Sequence, residues 1–137
     1  MTPSEFDAVW RRCAPFLSEA LARDPSHSLE DVRALVEAPG AMVCLWPGER
    51  SAAVTELITH PRLRELHVWL AGGDLEELRR GLPSIEAFAA ALGCQRVSLF
   101  GRPGWTRALD GYAPQFVAMA KMLAPCRTGL ETKREQL

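Results

Sequence analysis

Most of what this 137-residue chain excludes, it excludes by shortage. Its four cysteines, Cys13, Cys44, Cys94 and Cys126, are scattered without a CxxC pair, so neither a disulfide framework nor a thiolate metal site is encoded. That scatter implies reduced, buried thiols inside a cell or particle. His60 and His67 flank a proline corner without the compact spacing of metal ligands, so no metal is expected. Charge of one sign is missing as well: 16 Lys+Arg against 17 Asp+Glu leave -1, and no bulk cationic field exists to draw the chain onto nucleic acid. No apolar run approaches the ~20 residues that span a bilayer. The first residues pass straight into a helical pattern and not into a signal sequence, so a soluble, unsecreted protein is expected.

What is present is ordinary globular material, 47% hydrophobic and 24% charged, at the size of one domain. Residues 1–126 are expected to form it, with polar 127–137 as a tail. Thr2, Pro3 and Glu5 spell a helix start: a capping hydroxyl, a proline at the first helical position and a carboxylate placed to close a capping box. Phe6, Val9, Trp10 and Cys13 follow at helical spacing. Pro15 is expected to break or kink this helix, with Phe16 to Ala22 as its continuation. Ser28 and Asp31 repeat the start signal ahead of Leu29, Val32, Leu35 and Val36, and Pro39-Gly40 ends the second helix.

The texture then changes. Ala41 to Trp46 is a short apolar run, Pro47-Gly48 a turn signal and Ala52 to Thr59 a stretch of strand formers, together a hairpin. Leu66, Val68 and Leu70 alternate with His67 and Trp69 in a third strand that stops at Gly72-Gly73. Leu75, Leu78, Leu82, Ile85, Phe88, Ala89 and Leu92 return to helical steps. Gly81 and Pro83 divide them into a short helix, a corner and a second helix, with Gly93 as its C-cap. Gln95 to Phe100 is a fourth strand, parallel to the third because a helix separates them. Pro103 suits the first turn of a short helix to Leu109, Asp110-Gly111 ends it, and Phe116 to Leu123 forms a last strand.

The resulting α/β (α+β) order, α-α-β-β-β-α-β-α-β with helices packed on a mixed sheet, resembles the GNAT N-acetyltransferase fold. Gly104-Trp105 through Gly111-Tyr112 is similar to that family's short helix running into a Gly-aromatic pair. Ile85-Glu86-Ala87-Phe88-Ala89, then Gly93-Cys94, then Gly101-Arg102-Pro103-Gly104-Trp105 resemble small GNAT-like proteins of tailed phages and prophages.

In GNAT enzymes the loop Arg/Gln-x-x-Gly-x-Gly/Ala and the helix after it hold the pyrophosphate of coenzyme A on backbone amides. The corresponding place here, Ala71-Gly72-Gly73-Asp74-Leu75-Glu76-Glu77, supplies glycines and then three carboxylates, which repel a pyrophosphate. Arg79, Arg80 and Gly81, with Ser84 at the expected helix start, offer a displaced cradle. The plain alternative is a solvated arginine pair. Arg107 stands near the place of the family's tyrosine that protonates the departing thiolate, while Tyr112 begins the strand, where packing suits it better. Glu56 lies on a strand where a GNAT base can sit, although an exposed sheet face equally explains it. Cys44 and Cys94 have no adjacent base. No catalytic residue is assigned.

Arg102, Trp105 and Arg107 on one stiff turn make a candidate partner-binding patch, because Trp and Arg concentrate at interface hot spots; a core tryptophan is the competing explanation. The resemblance therefore implies a non-catalytic binding or virion-associated component with no cofactor. It would dock on itself or on portal, tail or capsid proteins, in the cytoplasm of a bacterial host and the virion. The alternative is an acetyl-CoA-dependent N-acyltransferase with an atypical pyrophosphate loop.

Overall fold

A computed structural model of the chain describes residues 1–40, 42–100, 105, 107–115 and 117–124. Helix α1 (Pro3–Leu21) opens as its capping residues dictate: Thr2 Oγ accepts the Glu5 N–H at 3.2 Å and the Glu5 carboxylate accepts the Thr2 N–H at 3.0 Å. Helix α2 (Leu29–Glu37) repeats the box with Ser28 and Asp31, at 3.1 and 2.8 Å. Strands β1 (Val43–Pro47), β2 (Ser51–Thr59) and β3 (Arg64–Gly73) form an antiparallel meander. Helix α3 (Leu75–Ala91) then crosses over to β4 (Arg96–Leu99), which lies parallel to β3. The sheet order is β1-β2-β3-β4.

Each face of the sheet carries its own core. Trp10, Cys13 and Leu17 of α1 and Val32 of α2 pack on Ala52, Val54 and Leu70; Ile85 and Ala89 of α3 pack on Ala53, Leu66 and Val68. Leu66, Val68 and Leu70 share strand parity, yet Leu70 faces the opposite core. The cause is a bulge: Val54 stands opposite Leu70 and Thr55 opposite Val68, leaving Trp69 as the extra residue of β3.

The break that Pro15 could have made and the corner expected at Gly81 and Pro83 are both corrected. Pro15 lies inside a continuous α1, and Gly81 and Pro83 lie inside one 17-residue α3. A proline forfeits one helix N–H and crowds the carbonyl four residues back. Here the apolar stripe keeps helical register across each site, Cys13 to Leu17 and Leu78, Leu82, Ile85 to Ala89, so packing holds both sides as one rod.

After β4 the described residues hold a turn at Trp105, whose carbonyl accepts the Ala108 and Leu109 N–H at 3.0 and 3.1 Å, and another in which the Leu109 carbonyl accepts the Tyr112 N–H at 3.3 Å. The start of the expected short helix, at Pro103, lies outside the described residues. The last strand expected over 116–123 is also corrected. Residues 117–124 carry neither helix nor strand, since no sheet edge runs beside them, and residue 116 lies outside the described set. Cys126 and the expected tail, 127–137, lie outside it too.

Candidate functional site

The most elaborate polar arrangement lies on the α1-side face of β3 and β4, just before the two strands part. Their parallel pairing runs from Glu65 opposite Arg96 to Val68 opposite Leu99. Alternation therefore puts Glu65 and His67 beside Arg96 and Ser98 on one face. Glu65, only 6% exposed, is enclosed by donors. Arg96 Nη2 reaches Oε1 at 2.9 Å and its Nε reaches Oε2 at 3.2 Å; Ser98 Oγ donates to Oε2 at 2.6 Å; His60 Nε2 lies 2.5 Å from Oε1. The guanidinium above all, with Ser98 and His60, holds the carboxyl at about 2 against the opposing effect of burial.

Next to it, His67 Nδ1 lies 2.9 Å from Ser98 Oγ. The one Ser98 proton goes to Glu65, so the hydroxyl accepts from His67, and in the neutral ring Nδ1 carries the hydrogen while Nε2 keeps its lone pair. Burial depresses the imidazole's pKa, and neighbouring Glu56 and Glu65 oppose this only in part. The Phe100 ring meets His67 edge-on at 4.7 Å. Glu56 is half-buried and pairs with His67 across the β2–β3 ladder. The cluster thus offers a fixed carboxylate and a neutral imidazole able to accept a proton.

At the other end of β3 the glycines serve packing. A Cβ on Gly72 would stand 2.1 Å from the Phe16 carbonyl oxygen, and one on Gly73, at φ +101°, 2.3 Å from that of Arg50. The Asp74 N–H donates to the Arg50 carbonyl at 2.9 Å, and Arg50 Nη2 meets Asp74 Oδ2 at 3.3 Å. Glu77 accepts the Ser51 hydroxyl and the Arg50 N–H, the latter at 3.0 and 3.1 Å, and these bonds, the hydroxyl's above all, lower its pKa. The start of α3 is thereby tied to the β1–β2 turn.

The displaced cradle falls elsewhere than the sequence suggests. Arg79, Arg80, Gly81 and Ser84 all lie within α3, where backbone amides are committed to the helix ladder. Arg79 binds Glu76 at 2.8 Å, and Arg80 reaches the Glu76 carbonyl at 3.4 Å. Arg79 does stand at the rim of a cavity of about 30 Å³, closed by Leu78 and Leu82 of α3 and by Trp105 and Leu109. Trp105 is half-buried there and Arg107 is exposed; Arg102 lies outside the described residues. Tyr112 donates to Glu86 Oε2 at 2.7 Å, and burial with that carboxylate raises its pKa.

Burial likewise raises the thiol pKa of Cys13 and Cys44, so neither is an activated nucleophile. Among the described residues no group of three or more His, Cys, Asp or Glu could hold a metal, and no helix is long and apolar enough to cross a membrane. Glu65, Arg96 and Ser98 were not legible as site residues. Their signal is polar spacing at i and i+2 on two strands, and it becomes meaningful only when the strands are in register.

No family model and no curated protein matches the chain. Solved structures do. A single-substitution variant of TTHA1254 from Thermus thermophilus is similar at a TM-score of 0.59 and 17% identity, over 86% of this chain and 92% of that one. A GNAT family acetyltransferase from Staphylococcus aureus is similar at 0.58 and 14%, over 90% and 95%. This chain has a GNAT-like fold. Aminoglycoside N-acetyltransferase AAC(6')-Iy, solved in complex with CoA, is similar at 0.57 and 10%, over 86% and 91%. At such identities the GNAT likeness concerns the fold alone and does not bear on a phage or prophage source.

Proposed function

We propose that this chain is a GNAT-fold binding protein in which the place of the coenzyme A pyrophosphate is taken up by the protein's own contacts, and that it works by docking. The observation that carries this is Glu77, whose carboxylate joins the first turn of α3 to Arg50 and Ser51. A diphosphate at that turn would gain roughly 0.3–1 kcal/mol per charge from the helix dipole. It would also face the like-charged carboxylates of Asp74, Glu76 and Glu77, with Glu77 already holding the Arg50 N–H and the Ser51 hydroxyl. The nearest cations, Arg50 and Arg79, are already paired with Asp74 and Glu76. Repulsion therefore outweighs the dipole, and these residues do not fit the group. The resemblance of its short motifs around Ile85–Ala89 and Gly101–Trp105 to those of phage-encoded GNAT-like proteins favours a particle component as the setting for such docking.

A second reading, an acetyl-CoA-dependent N-acyltransferase, is favoured by one observation. His67 holds an Nε2 with no hydrogen-bond partner among the described residues, one residue short of the last β3–β4 pair, where a proton acceptor would serve an incoming amine. That reading needs the diphosphate held away from the start of α3, with Arg79 drawn off Glu76 and Arg80 off the Glu76 carbonyl to meet it. Isothermal titration with acetyl-CoA separates the two. No saturable heat is expected, and a one-to-one micromolar site would overturn the docking proposal.

A further inference from the structure

We propose that Glu56, His67 and Phe100 form a seat for a guanidinium group, and that the protein docks by receiving there an arginine side chain of its partner. Glu56 of β2 stands directly opposite His67 of β3, and the ring of Phe100, just past β4, lies 4.7 Å from the imidazole. Each of the three has capacity left over. Glu56 is half-buried; among the described residues its carboxylate has no hydrogen bond or ion pair, and its charge is felt at His67. His67 spends Nδ1 on Ser98 Oγ and keeps the Nε2 lone pair. The residue is only 6% exposed, yet no described side-chain nitrogen or oxygen is both sealed from solvent and without a partner, so Nε2 is reached by water. Phe100 is 67% exposed, a large apolar ring left in solvent beside two acceptors.

The chemistry of the guest follows from this set. A carboxylate and an unprotonated imidazole nitrogen only accept, so the guest is a donor; the carboxylate charge makes it a cation, and the exposed ring attracts a cation laid against it. The neighbouring Arg96 cation would repel such a guest, but Glu65 answers it at 2.9 and 3.2 Å, so the charge left to the seat is that of Glu56. Residues directly opposite on antiparallel strands hold their Cβ atoms about 4.5–5.5 Å apart, close enough for one group to meet both acceptors. A guanidinium does this with a rigid planar fork of N–H donors and a flat face for Phe100, whereas an ammonium is a compact, strongly hydrated point charge. Arginine is also a residue on which interfaces concentrate binding energy, and it does so where aromatic rings flank the contact.

This inference rests on the docking reading and supplies the chemistry of its partner, yet the two fail separately. A chain that ignores both acetyl-CoA and arginine would defeat the seat and leave docking standing through another surface; a chain that binds both would defeat the docking reading and leave the seat. The test is NMR titration of the full chain with N-acetylarginine amide, observing the His67 ring nitrogens and the Phe100 ring, with N-acetyllysine amide and the neutral N-acetylcitrulline amide alongside. The expected result is one saturable site at which Nε2 shifts as it accepts a hydrogen bond, the lysine amide binding more weakly and the citrulline amide not at all. Glu56→Gln should weaken the arginine amide about tenfold or more, the loss of a charged hydrogen bond. Phe100→Ala should weaken it about two- to fivefold, as a cation–π contact at an exposed site predicts. Both variants should keep the rest of the wild-type spectrum. The proposal is overturned by the absence of a shift at the highest soluble concentration, by lysine amide binding as tightly as arginine amide, or by an affinity that Glu56→Gln leaves unchanged.

Discussion

The two ends of β3 turn the same sheet face toward different company. Past the bulge, α1 lies so close that Gly72 has no room for a Cβ against the Phe16 carbonyl, and Leu70 is buried with Trp10, Cys13 and Leu17. Before the bulge that face bears Glu65 and His67, buried through their bonds to Arg96, Ser98 and His60. An apolar contact loses its buried area and leaves a cavity when one member is trimmed, whereas a buried polar cluster holds together only while every member keeps its partner. The bulge at Trp69 is the boundary between the two regimes.

Substitutions at either end would break that contrast, the close-packed end most severely. Gly72→Ala should cost about 3 kcal/mol in urea denaturation, because the atom in the way belongs to the α1 backbone and the whole helix must shift. Glu65→Ala should cost about 2 kcal/mol by the same measurement, since it strands the donors of Arg96 and Ser98.

Acid sharpens the comparison further. The folded carboxyl of Glu65 sits at about 2 against an ordinary 4.5, so its contribution is complete above pH 4.5 and is lost as pH falls toward 2. His67 acts in the same direction at higher pH. The unfolded ring takes up a proton below its ordinary 6.5 more readily than the folded ring, so stability declines as pH drops through that region. Melting curves across pH should show both declines, with His67→Gln flattening the upper one and Glu65→Gln the lower. Glu77→Ala should have the smallest effect: a fall in Tm below that of Glu65→Ala, accompanied by faster amide exchange at Arg50, because its bonds lie at the protein's rim.

Much of the fold was legible, since seven elements follow in the expected order and β3 and β4 are parallel as the intervening helix required. The candidate site was far less so. His67 and Glu56 were visible as isolated polar residues, but Ser98 lies 31 residues beyond His67 and Arg96 lies 31 beyond Glu65, and only strand register brings them together. Gly81 and Pro83 read as a corner between two helices because glycine and proline weaken a helix locally. Tertiary packing outweighed that propensity.

By itself the sequence determined the helix starts at Thr2 and Ser28, the turn at Pro47-Gly48 and the strand-forming stretches, because each depends on groups within a few residues of one another. Tertiary structure alone decided the continuity of α1 through Pro15 and of α3 through Pro83, the bulge that turns Leu70 to the other core, the grouping around Glu65, and the lack of a strand at 117–123. A cap is completed by its own neighbours, whereas a strand edge, a buried charge or a weakened helix takes its state from whatever distant segment comes to lie against it.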